Sequence, residues 1–197
     1  LQELKITSFN EATTAAEGTP NRTALNKEFT HALYQMRLEK GIVQYPDANS
    51  TMRITYGTVG GYEPYDGVVC DWKTTPAGIL EKYDPTDYDF TLSDRQYLLY
   101  RRGDWGRWGF GKDGSQMYVN FLTDNDITGG NSGSPVINAD GDLIGLNFDR
   151  VWEGTMSDIV FDPEICRNIA LDVRYVLFTI DKIGEADYLF DEMTFTE

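Results

Sequence analysis

Apolar residues in TPNRTALNKEFTHALYQMRLEKG return at spacings of three and four, which places Leu25, Phe29, Leu33 and Met36 on one face. That spacing predicts a helix, and Gly41 behind Lys40 supplies its stop. The turn cluster YPDANS ends the pattern, and in TMRITYGTVGGY the residues Met52, Ile54 and Tyr56 alternate as in a half-buried strand. From there to about residue 160, short β-prone runs alternate with Gly-, Asp- and Asn-rich turns, the rhythm of a small β-barrel or sandwich. RNIALDVRYVLFTIDKIG predicts a final helix with Ile169, Val173, Val176, Leu177 and Ile180 on one face. Residues 1–45 therefore read as a helical piece. Residues 46–197 read as a β-domain closed by a C-terminal helix, and no internal repeat is visible.

Charge narrows the partners. With 17 basic and 32 acidic residues the net charge is −15, so phosphate backbones and anionic lipid heads are repelled. No run is apolar and long enough to span a membrane, and LQELKITSFNEATT has neither the basic start nor the apolar stretch of a signal peptide. A start at Leu1 reads as an excised piece of a longer polypeptide. Cys70 and Cys166 stand far apart with no metal-binding spacing; two buried free thiols are the main reading and a single disulfide the lesser one.

Three motifs are set aside. NADGD at 138–142 lacks the glycine position and closing glutamate of a calcium loop, and reads as the turn of a hairpin from Val136–Ile137 to Leu143–Leu146. YRRGDWGRWGFGKDG at 100–114 mixes arginines and tryptophans as a single-strand-binding surface would, but the negative net charge favours a mobile surface hairpin with aromatic packing. His31, the sole histidine, sits inside the first helix beside its core face, where a structural role is expected. No metal or cofactor is implied.

The candidate chemistry lies in ITGGNSGSPVINADGDLIGLNFDR, residues 127–150. Gly129 and Gly130 permit backbone dihedrals that turn amides toward one point, so the N–H groups of Gly130 and Ser132 can form an oxyanion hole beside the Ser132 hydroxyl. Gly133 admits substrate closely, and Pro135 fixes the exit into a strand. On residue types alone the segment is equally an ordinary Gly/Ser loop. The order strand, tight glycine loop, strand, turn, strand tips the reading toward a nucleophile.

That order resembles the nucleophile region of chymotrypsin-like serine peptidases, whose motif is Gly-Asp-Ser-Gly-Gly-Pro; this chain departs from it at Asn131 and Ser134. TGGNSGSP together with GLNFDRVWEGTMSDI is similar to the bacterial serine dipeptidyl aminopeptidases, the family of dipeptidyl peptidases 7 and 11, with support from ITYGTVGGYEPYDGV and VNFLTDNDITGGNSGSP. The resemblance implies the C-terminal part of a two-lobed enzyme: the end of a helical insertion, then the second β-barrel of a chymotrypsin-like double barrel with its terminal helix. The catalytic histidine and aspartate would belong to the other lobe, so this piece alone would be inactive. Peptides would be substrates, the N-terminal lobe and a second copy partners, and the periplasm or cell surface the location. The resemblance places Phe148 and Asp149 near the substrate's free amino group, where a carboxylate suits an ammonium ion. Arg150, eighteen positions after Ser132, stands where an arginine goes with Asp or Glu preference, as in dipeptidyl peptidase 11, and a guanidinium binds a carboxylate bidentately. On a regular strand Asp149 and Arg150 face opposite sides, so a pocket lined by both requires a bend. Two rival classes remain: a non-catalytic peptide-binding module, and a chymotrypsin-like endopeptidase of acidic specificity. As half of a two-barrel protein, the piece is also expected to expose an apolar patch around Trp72, Trp105, Trp108 and Phe148.

Overall fold

The structure, a computed structural model, describes residues 21–42 and 50–196. The chain divides into two units, Leu1–Gln44 and Tyr45–Glu197. In the first, helix α1 (Arg22–Glu39) begins where the Asn21 side chain accepts from the Thr23 N–H at 3.0 Å. It ends before Gly41, whose φ of +68° is the left-handed conformation of a helix stop. His31 and the apolar stripe lie on this helix, and none of its residues is buried.

The second unit carries a hairpin, β1 (Tyr62–Tyr65) and β2 (Val68–Cys70), two helices, α2 (Pro76–Lys82) and α3 (Asp94–Arg102), and a four-stranded sheet closed off by helix α4 (Val173–Phe178). The sheet strands are β3 (Asn120–Thr123), β4 (Pro135–Ile137), β5 (Leu143–Arg150) and β6 (Asn168–Asp172). Their order is β3-β6-β5-β4, and every neighbouring pair is antiparallel. The hairpin expected at 136–146 forms, with Asn138 Oδ1 accepting from the amides of Asp140 (3.0 Å) and Asp142 (2.9 Å) across its turn.

Among the described residues no closed barrel forms. The ladder stops at β3 and β4, and the segments before it pair with β3 only as single bridges, Val59 to Thr123 and Lys73 to Phe121. The strand expected through Met52, Ile54 and Tyr56 is absent as well: the chain joins β3 only at Thr58–Gly60, and those three residues, with no ladder beside them, are 86%, 77% and 83% exposed. The expected terminal helix is half strand. Asn168, Ala170 and Asp172 alternate into the interior along β6, and Asp172 then caps α4 by accepting from the Arg174 N–H at 2.9 Å. Beyond α4 a π-helical turn runs over Thr179–Ile183.

The segment expected to be a mobile surface hairpin is instead part of the core. Helix α3 starts with a capping box between Ser93 and Gln96, and the following turn delivers Trp105 and Trp108 inward. They pack with Tyr100, Met117, Phe178 and Phe190; the Trp105 and Phe178 rings meet edge-on with centroids 5.4 Å apart. Each indole N–H finds an acceptor, Trp105 at the Ser115 carbonyl (2.9 Å) and Trp108 at the Asp181 carboxylate (2.8 Å). The expected apolar patch therefore loses its two central tryptophans. Trp72 is half-buried against Tyr118, and only Phe148 of the four is exposed. A smaller core joins Tyr62, Leu122 and Val151 on the other part of the sheet. Cys70 and Cys166 are free thiols.

Candidate active site

The loop between β3 and β4 is built by hydrogen bonds that leave the amides of Gly130 and Ser132 uncommitted. The Asn131 side chain accepts from the Thr128 N–H at 2.8 Å, and the Asn131 N–H donates back to the Thr128 carbonyl at 3.2 Å. Ser134 N–H and Asn147 Nδ2 both donate to the Asn131 carbonyl, at 3.0 and 3.1 Å. Gly133 N–H donates to the Asn147 carbonyl and Asn147 N–H to the Ser134 carbonyl, each at 2.8 Å. This geometry needs φ of +91° at Gly130 and +81° at Gly133, which a side chain at either position would resist. Among the described residues, the N–H groups of Gly130 and Ser132 then have no acceptor. They are free to meet an anion.

Ser132 itself is exposed at the head of this loop. Its hydroxyl donates to the Phe148 carbonyl at 3.3 Å, which ties the loop to β5. Gly130, Ser132 and Phe148 are thus brought together. An exposed hydroxyl beside two free amides can attack a carbonyl and stabilise the resulting oxyanion once a base takes its proton. The second unit has no histidine in its sequence to serve as that base.

Strand β5 bulges ahead of Asp149 rather than between Asp149 and Arg150, which pair in regular register with Ile169 and Asn168. Asn147 pairs with Ala170 and Asp149 with Ile169, so Phe148 is the extra residue of a bulge. Without it Asp149 would continue the inward face of Gly145 and Asn147; with it Phe148 and Asp149 are both exposed. Arg150, next along, is half-buried. Its guanidinium donates through Nη1 to Ser157 Oγ and through Nη2 to Asp158 Oδ1 at 2.9 Å. The Arg150 N–H donates to Asp149 Oδ1 at 2.8 Å.

A second carboxylate stands near the same guanidinium. Asp126 is buried, and burial pushes its carboxyl above the ordinary range; the Ile127 N–H and Arg150 pull it down, and Asp158 pushes it up. The sequence reading missed Asn131 and Asn147 as loop scaffolds, and Ser157, Asp158 and Asp126 as partners of Arg150. One signal for Asn147 was available: a polar residue on the inward face of an otherwise apolar strand.

The chain matches the model of the Peptidase S46 family over residues 2–195. It is 52% identical over 149 residues to an Asp/Glu-specific dipeptidyl-peptidase of Flavobacterium psychrophilum, covering 76% of this chain and 20% of that protein. It is 46% identical over 182 residues to a dipeptidyl-peptidase 7 of Phocaeicola vulgatus, covering 92% of this chain and 25% of that one. The fold is similar to the crystal structure of Porphyromonas endodontalis DPP11 in complex with the dipeptide Arg-Glu, with a TM-score of 0.74 and 43% identity over 86% of this chain and 24% of that one. The chain therefore spans about a quarter or less of the length of these relatives.

Proposed function

Because the chain belongs to the Peptidase S46 family, we propose that it is the C-terminal part of a serine dipeptidyl aminopeptidase that releases dipeptides with Asp or Glu as the second residue. The observation that carries this reading is the pairing of an exposed Ser132, flanked by the free amides of Gly130 and Ser132, with the bulged end of β5. Ser132 is the nucleophile, and the two amides hold the oxyanion of the tetrahedral intermediate. A histidine and an aspartate elsewhere in the parent protein take the hydroxyl proton and pass it to the leaving amine. The piece alone does not turn over substrate.

Asp149, exposed beside Phe148, pairs with the substrate's free ammonium group and so limits cleavage to dipeptides. Arg150 binds the acidic side chain of the second residue, because its planar fork stays charged at any working pH and matches a carboxylate. The open sheet seen here would be the core of the second barrel of a chymotrypsin-like pair, completed by the N-terminal lobe. A second copy of the protein remains a candidate partner. The periplasm or cell surface is the setting this activity takes.

The test uses the full-length protein. Ser132→Ala should abolish dipeptide release and leave the fold intact, and retained activity would remove Ser132 from the mechanism. Arg150→Gly should cost cleavage after Asp or Glu about 2 to 4 kcal/mol of transition-state stabilisation, with far less loss on substrates carrying Leu. Equal losses on both would separate Arg150 from substrate choice.

A further inference from the structure

Arg150 already carries a carboxylate of its own chain, that of Asp158. Its guanidinium has five donors, and the structure commits one nitrogen to the neutral Ser157 hydroxyl and another to the Asp158 carboxylate. Asp126 lies close enough for its ionisation to feel both Arg150 and Asp158. An acidic substrate would bring a third carboxylate to one guanidinium. A substrate carboxylate that takes the fork bidentately competes with Asp158 for Nη2.

The two protein carboxylates are not equally free to yield. Asp126 is buried, in the short run between β3 and the buried Ile127 and Thr128. Asp158 closes the 3-10 segment Trp152–Asp158, and the exposed Ile159 and Val160 follow it. Its side chain is 55% exposed, whereas that of Arg150 is only 16% exposed. Releasing Asp158 returns a largely hydrated carboxylate to water, while releasing Arg150 would strand a charge in the interior. A brace would show the opposite asymmetry, with the anchor more buried than the group it holds. Ser157 can keep the fork aimed without contributing charge.

Resting on the reading of Arg150 as the carboxylate-binding group, we propose that Asp158 is a specificity-determining residue: its carboxylate occupies the Arg150 guanidinium in the empty site and is displaced by the acidic side chain of the substrate. Every acidic substrate then binds against an internal competitor, and apolar substrates do not. Asp158 therefore moderates the preference for Asp and Glu that Arg150 creates.

The experiment compares wild type, Asp158→Asn and Arg150→Gly in the full-length protein, on dipeptidyl substrates with Glu or Leu as the second residue. Removing a competitor in a partly exposed pair should raise the Glu-over-Leu ratio of kcat/KM about two- to five-fold, through a lower KM for the Glu substrate. The product-like dipeptide Arg-Glu should bind Asp158→Asn more tightly by a similar factor, an outcome that a general loosening of the fold would not produce. A lower ratio in Asp158→Asn would make Asp158 a brace, and an unchanged ratio would show that it does not compete; either overturns the proposal. If Arg150→Gly abolishes the Glu preference in that same series, only the competitor role is lost. If Arg150→Gly keeps the preference, the reading of Arg150 fails and the proposal falls with it.

Discussion

Asn131 stands where the chymotrypsin-like motif has aspartate, and Asn131→Ala tests what the side chain contributes. Its Oδ1 is the acceptor for the Thr128 N–H at 2.8 Å, and Thr128 is 9% exposed. Alanine leaves the Asn131 carbonyl and its two donors in place, so one bond is removed and one buried amide is left without a partner. A bond merely exchanged with water is worth about 0.5 to 1.5 kcal/mol, but an orphaned buried donor costs its desolvation, about 1 to 3 kcal/mol. We therefore expect Asn131→Ala to lower the unfolding free energy by about 1 to 3 kcal/mol, read as an earlier urea midpoint at unchanged slope. Asn131→Asp keeps an acceptor at the same place and should retain most of the stability. In the full-length protein, a loop no longer pinned at Thr128 lets the amides of Gly130 and Ser132 drift, and misplacement by about 1 Å costs up to about a hundredfold in kcat. Coincident unfolding of wild type and Asn131→Ala would refute the argument, since the Thr128 amide would then have found another acceptor.

Two further outcomes follow from the core and from the buried acid. Phe178→Ala removes the fully buried ring between Tyr100, Trp105 and Tyr175, and should destabilise by about 3 to 5 kcal/mol in urea unfolding; a loss under about 1 kcal/mol would show that this core is not tightly packed. Asp126, its carboxyl raised by burial, should penalise the fold only where it is ionised: the penalty is absent below the unfolded pKa and fully present above the folded one. Asp126→Asn should thus gain stability over wild type as the pH rises from about 3 to about 7, and urea midpoints that stay parallel across that range would contradict the raised carboxyl.

What could be read from the sequence was local in origin. The capping Asn21 and the stop at Gly41 bound α1 through bonds spanning two to five residues, and the hairpin at 136–146 is held by Asn138 within its own turn. The glycine loop is local in the same sense, since its Asn131–Thr128 clamp spans three residues. Strand β6 was misread because its inward positions include Asn168 and Asp172, which hydropathy counts as outward; their burial is made affordable by Thr123 and Arg174, one of them 45 positions away. The fate of Trp108 was hidden in the same way, its acceptor Asp181 lying 73 positions downstream. Helix α3 also carries local signals, the Ser93–Gln96 capping box at its start and the left-handed Gly103 at its end.

The candidate site divides along that line. Ser132 and its two free amides follow from glycine placement within one loop, so the sequence could mark them. The setting of Arg150 depends on a bulge in β5 defined against β6, on a carboxylate at the end of the next segment, and on Asp126 from the start of the loop. No propensity of residues 143–150 encodes those three partners. The nucleophile and the group proposed to select the substrate therefore answer to different parts of the fold: substitutions at 129–133 act through backbone geometry, whereas substitutions at 157 or 158 can retune the charge around Arg150 without touching the loop. A double substitution of Asn131 and Asp158 should accordingly be close to additive in urea unfolding, within about 0.5 kcal/mol, and a larger coupling would mean that the loop and the Arg150 cluster are one mechanical unit.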